Sequence, residues 1–142
     1  MNEKGETTEL WLRTTDEAEA ERGRFSQADL IHALQLYFGR QVKMVVLTYN
    51  KNDEPADEAE AEQRVERFLR QLDAAFELEG RKLAFIRRPV ETSNGRYPHH
   101  HLVIPFCERQ RINGFWPYGA TSQSTWQCSG EDLPKLALYM LR

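Results

Sequence analysis

Three of the chain's four histidines, His99, His100 and His101, stand in a row directly before the apolar run Leu102-Val-Ile-Pro-Phe106. Such a run reads as a β-strand, whose side chains alternate between two faces. His99, His101 and Val103 then share one face, while His100, Leu102, Ile104 and Phe106 share the other. The second set is the more apolar and is expected on the core side. Two imidazoles thus project together from the opposite face, where both can offer a ring nitrogen to one metal ion. A carboxylate would complete a mixed nitrogen and oxygen set suited to divalent manganese or magnesium. Glu91, at the end of the preceding strand, is the best placed to supply it. Zinc is less favoured, because Cys107 and Cys128 share no zinc-site spacing with the histidines. Taken alone, a histidine triplet reads more simply as the polar start of a strand.

Basic side chains surround this stretch. Residues 81–111 hold Arg81, Lys82, Arg87, Arg88, Arg96, Arg109 and Arg111 against only Glu91 and Glu108, a net of +5. Residues 1–24 hold four basic and seven acidic side chains, and residues 51–66 hold two and seven. The whole-chain charge of -3 argues against a generic nucleic-acid binder, but a local positive field attracts phosphate all the same. Solvated surface arginines are the competing reading. A metal beside guanidinium groups suits phosphoryl transfer, in which both offset the charge that develops in the transition state. Such chemistry needs a nucleophile. Tyr139 has Lys135 one turn before it and Arg142 nearly one turn after, both able to hold a phosphate. By itself, Tyr139 reads as an ordinary amphipathic tyrosine at a helix boundary.

The elements that must position these groups follow from periodicity. Ser26 and Asp29 form a capping-box pattern ahead of a helix to Phe38, with Leu30, Ile31 and Leu34 as its apolar stripe and Gly39 as its stop. Met44–Asn50 is a β-rich run. Pro55–Leu78 is the longest helix, with Val65, Phe68, Leu69, Leu72 and Phe76 at helical spacing. Its acidic first turns suit the helix dipole and read as a solvated face. Lys82–Arg87 and the histidine strand are expected to pair as an antiparallel hairpin across an Asn94-Gly95 turn. Thr121–Cys128 reads as a further strand. The last helix starts near Leu133, capped by Asp132, and has no stop signal before Arg142, which points to a longer parent protein. Residues 1–24 are expected to form a loosely attached acidic extension, with Thr8–Arg13 as an edge strand and a surface helix from Thr15. Residues 25–142 are expected to form one α+β domain, an antiparallel sheet of four to five strands with helices packed on it.

A length of 142 residues suits such a single core. No apolar run reaches the roughly 20 residues of a membrane span, and the opening Met-Asn-Glu-Lys-Gly-Glu is unlike a signal peptide. A cytoplasmic protein with two reduced cysteines is expected.

In combination, three segments resemble the motifs of HUH endonucleases, the rolling-circle replication initiators of small phages and plasmids. They are Met44-Val-Val-Leu-Thr-Tyr49, Gly95-Arg-Tyr-Pro-His-His-His-Leu-Val-Ile104 and Tyr139-Met-Leu-Arg142. Phe115-Trp-Pro-Tyr-Gly119 and Tyr37-Phe-Gly39 are similar to the pattern of the phage-type replication proteins. The resemblance spans about residues 30–142. It implies that His99 and His101 bind a divalent metal, Mn2+ or Mg2+, with Glu91 as third ligand. It also implies that Tyr139 attacks a phosphodiester of single-stranded DNA, leaving a 5′-phosphotyrosine and a free 3′-hydroxyl. Thr48 and Tyr49 fall in the first motif, whose role is structural or substrate-positioning. Arg142 stands where that family usually has lysine, and Pro98 is added before the histidines. The expected DNA contacts are Arg87, Arg88, Arg96, Lys135 and Arg142, with Trp116 and Tyr118 as stacking partners. The implied partners are a single-stranded or hairpin origin and the host replication helicase or polymerase, with no membrane. The rival reading is a non-catalytic DNA-binding or replication accessory domain on the same fold. A histidine-triad hydrolase is excluded, since Val103 stands where it would need a third histidine.

Overall fold

The computed structural model describes residues 6–92, 96–97 and 99–142. The Asn94-Gly95 turn and Pro98 lie outside the described residues. Six strands form one open, wholly antiparallel sheet: β1 (Thr8–Arg13), β2 (Glu21–Phe25), β3 (Gln41–Thr48), β4 (Phe85–Arg87), β5 (His99–Pro105) and β6 (Thr121–Gln127). Their order across the sheet is β2-β1-β4-β5-β3-β6. Four helices complete the fold: α1 (Gln27–Tyr37), α2 (Glu58–Leu78), α3 (Arg109–Gly114) and α4 (Asp132–Leu141). Among the described residues no helix is long and apolar enough to cross a membrane.

Both faces of the sheet are covered. Val45, Leu47, Leu102 and Ile104 pack beneath the α2 stripe of Val65, Phe68, Leu69, Leu72 and Phe76, with Ile112 of α3 at its flank. On the other face Val42, Ile86 and Val103 meet Leu30 and Leu34 of α1 and Leu133, Leu136, Ala137 and Met140 of α4. The apolar end of β5 is therefore buried from both sides, as a continuous Leu-Val-Ile run requires. The face that the histidine alternation assigned to solvent becomes core two residues on, at Val103. Phe106, expected inside, is 38% exposed because the strand ends at Pro105.

The α+β class holds, and the sixth strand comes from the N-terminal segment. Thr8–Arg13 is an inner strand, paired with β4 on one side and β2 on the other, and Leu10 is fully buried. The segment is thus fastened into the sheet, unlike the loosely attached extension expected of it. The surface helix expected from Thr15 is absent, and Glu21–Phe25 is a polar edge strand in its place.

Local chemistry accounts for the other boundaries. The Ser26 hydroxyl accepts from the Asp29 amide at 3.1 Å, and the Asp29 carboxylate accepts from the Ser26 amide at 2.8 Å, which closes the capping box of α1. Gly39 ends that helix at φ 80°, a conformation costly for any residue with a Cβ. The Asp57 carboxylate caps α2 through the Glu60 amide at 2.8 Å. Asp132 lies inside α4, and its carboxylate accepts from the Gln127 amide at 2.9 Å, tying the helix start to the end of β6.

Candidate active site

The start of β5 lies between β4 and β3, where the pleat divides the histidines. Register places His101 opposite Val46 and His100 opposite Leu47. His99 and His101 share the α4 side of the sheet, with ring centroids 4.6 Å apart. Tyr139, near the end of α4, brings its ring to 6.1 Å from that of His101. Arg88, just past β4, joins them. Its amide donates to the His101 carbonyl at 3.1 Å, its Nη2 donates to the Tyr139 carbonyl at 2.5 Å, and its guanidinium carbon lies 5.4 Å from the centroid of the Tyr139 ring. Arg88, Glu91, Thr92, His99 and His101 line a cleft of about 200 Å³.

The chemistry of this cleft suits a ligand that takes neutral nitrogen donors. Burial, with the Arg88 charge beside it, holds His101 down to about 4, so its imidazole is neutral at physiological pH. His101 Nδ1 is buried with no hydrogen-bond partner among the described residues. An orphaned ring nitrogen next to a second imidazole fits a metal ion. The third ligand is not in place: among the described residues no three His, Cys, Asp or Glu side chains come close enough together to hold one. Glu91 lines the same cleft without closing on the pair. Burial also lowers the pKa of the Arg88 guanidinium, the clearest electrostatic cost in the site.

A match to a family model covers residues 42–141, well over half of the chain, and the family is described as the replication-associated protein ORF2 and gene II protein family. The chain belongs to that family. The matched region runs from β3 through α4 and includes every histidine and tyrosine of the cleft. No match was found among curated proteins, and none among solved structures. Membership of a replication-associated family gives the positive surroundings of the cleft a natural counterpart in DNA.

The other residues singled out by sequence divide between the two faces. Lys135 and Arg142 are exposed at the two ends of the α4 segment that carries Tyr139. Arg96 is exposed and forms a two-point ion pair with Glu54, at 3.0 and 2.7 Å. Arg87 is 3% exposed on the α2 side, paired with Glu62 and stacked on Trp11, so its charge is spent inside the protein. Trp116, offered as a stacking surface, is 2% exposed, and its indole N–H donates to the Thr48 carbonyl at 2.7 Å. Tyr118 packs against Trp116 and lies under the Arg64 guanidinium, 4.2 Å from the ring centroid. Arg87 and Trp116 are therefore corrected from DNA contacts to buried supports.

His100 explains that second group. It is 5% exposed on the α2 side, and its Nε2 lies 2.6 Å from the Tyr49 hydroxyl. Trp116 stands edge-on to it at 5.8 Å. Burial, reinforced by Arg87, holds His100 down to about 3, and burial pushes Tyr49 up to about 12. Both partners are neutral, and one proton is shared between them. Sequence reasoning left Thr8 out of the site altogether. Its hydroxyl donates to the Leu141 carbonyl at 3.0 Å, a contact across 133 positions that no local pattern announces.

Proposed function

We propose that this protein nicks and rejoins single-stranded DNA at a replication origin, as an HUH-type initiator of rolling-circle replication. The observation that carries the reading is the placement of the Tyr139 ring 6.1 Å from His101, on the sheet face where His99 and His101 stand side by side. In this reading the Tyr139 oxygen attacks the phosphorus of a phosphodiester bound over the cleft. A new P–O bond to tyrosine forms as the bond to the 3′ oxygen breaks. The phenolic proton leaves to solvent or a nearby base, and the departing 3′ oxygen takes up a proton to become the 3′-hydroxyl that primes synthesis. The 5′ end stays on Tyr139 until a 3′-hydroxyl reverses the step and joins the strand. A divalent ion, Mn2+ or Mg2+, held by His99 and His101 with Glu91 drawn in, would polarise the phosphoryl oxygens. Arg88 fixes the histidine strand to the tyrosine turn, and Lys135 and Arg142 offer charge to the backbone phosphates on either side.

The test is direct. Wild-type protein, incubated with origin-like single-stranded DNA and Mn2+, should give a covalent adduct on a denaturing gel. Tyr139→Phe should give none while retaining DNA binding. An adduct that persists in Tyr139→Phe assigns the wrong nucleophile. No adduct from the wild type across varied origins and hairpins leaves the accessory, DNA-binding reading standing instead.

A further inference from the structure

The cleft contains a residue whose contacts exceed what binding a phosphate would need. A helix leaves its last carbonyls without intrahelical partners. In α4 two of them are taken by side chains from elsewhere in the fold, Tyr139 by Arg88 and Leu141 by Thr8. Arg88 is also tied at its own amide to the His101 carbonyl. Its Nε is buried with no partner among the described residues, so the side chain is held by two ends and a ring rather than turned out to solvent. Burying a guanidinium in this way costs stability, and no carboxylate forms an ion pair with it among the described residues.

We propose that Arg88 is a positioning residue, a clamp that fixes the last turn of α4 so that the Tyr139 ring stays beside His101. This role deepens the nicking reading and rests on it for its effect on the reaction. The clamp itself is a property of the fold. A planar guanidinium suits it, because one edge can donate to a carbonyl while the flat face lies against a ring. Lysine can make the first contact and not the second.

Two measurements test the clamp. The first is amide hydrogen exchange in the protein without DNA. Arg88→Ala should raise exchange over residues 138–142 by about tenfold while α1 and β3 stay protected. Unchanged exchange over that turn overturns the proposal whatever the protein does to DNA. The second is the rate of adduct formation at saturating single-stranded DNA with Mn2+. Arg88→Ala should slow it by about a hundredfold, with the half-saturating DNA concentration changed by less than about threefold. Arg88→Lys should recover part of the rate, and it also serves if the alanine variant does not fold. A loss of DNA affinity as large as the loss of rate would make Arg88 a direct phosphate contact and overturn the positioning role. A wild type that forms no adduct would sink the nicking reading, and the exchange experiment would still decide the clamp.

Discussion

Adjacent side chains in the histidine triplet face different environments and should fail differently. His101→Ala removes an imidazole from the cleft, and its expected effect is on Mn2+ binding, measured by calorimetry, with melting changed little. His100→Ala removes a buried ring and leaves the Tyr49 hydroxyl without its partner. It should cost about 2–4 kcal/mol of stability, read by denaturant titration, with the residual folded protein still binding metal. Tyr49 supplies a pH signature on the same side. Its folded-state value of about 12 lies above the ordinary 10.0, so the folded state prefers the protonated phenol. That preference contributes stability in full below pH about 10 and is lost as pH rises through about 12. Unfolding free energy measured across this range should fall more steeply for the wild type than for Tyr49→Phe. At this scale the sequence was informative: strict alternation along a strand is enough to separate His100 from its neighbours. It could not show that Arg87 and Arg88, equally basic and adjacent, emerge on opposite faces, one into an ion pair and one into the site.

Among the elements, the end of β3 shows why a segment that read as irregular is closely fixed. The Thr48 amide donates to the Ala120 carbonyl at 3.0 Å, and the Asn50 amide donates to the Tyr118 carbonyl at 2.7 Å. Gly119, between those two carbonyls, lies so close to β3 that a Cβ there would overlap the Thr48 carbonyl oxygen. Gly119→Ala must push the two backbones apart. The expected cost is about 1–3 kcal/mol in denaturant unfolding, and the loss should extend to Tyr49 and His100 just behind the contact. Periodicity located α1, α2, β3, β5, β6 and α4, because each carries a stripe or an alternation that packing rewards. It passed over β2. Glu21-Arg-Gly-Arg-Phe25 is polar along nearly its whole length, as an edge strand facing water should be, and such a strand carries no apolar signal.

For the whole molecule, the sheet separates two kinds of work. The α2 side holds the aromatic group around Trp116, with His100 inside it, and the buried Arg87–Glu62 pair. The α4 side holds the histidine pair, Arg88 and Tyr139. The family match begins at Val42, so β1, β2 and α1 lie outside it, yet Leu10, Leu30 and Leu34 are core. Removing residues 1–25 exposes the edge of β4 and uncovers the apolar layer under α1 and α4. The expected result is a chain that aggregates or melts well below the full-length protein, assayed by light scattering and thermal unfolding. A tail without a structural role would leave both readouts unchanged. The acidic balance of that segment hid its part in the core: charge counts describe the water-facing side of a strand and say nothing of Leu10 on the other.

The hydrogen bond from Thr8 to Leu141 brings the first strand and the last helix side by side, and this has a topological consequence. If residues 8 and 141 were joined by a short flexible linker and the backbone opened instead in the exposed turn at Lys51–Asp53, the circularly permuted chain would retain every strand pairing described above. In such a rearranged molecule Tyr139 would sit in mid-chain, held on both sides by continuous backbone. A permutant that folds and still captures DNA would show that the tyrosine needs the clamp around it and not a free chain end beside it.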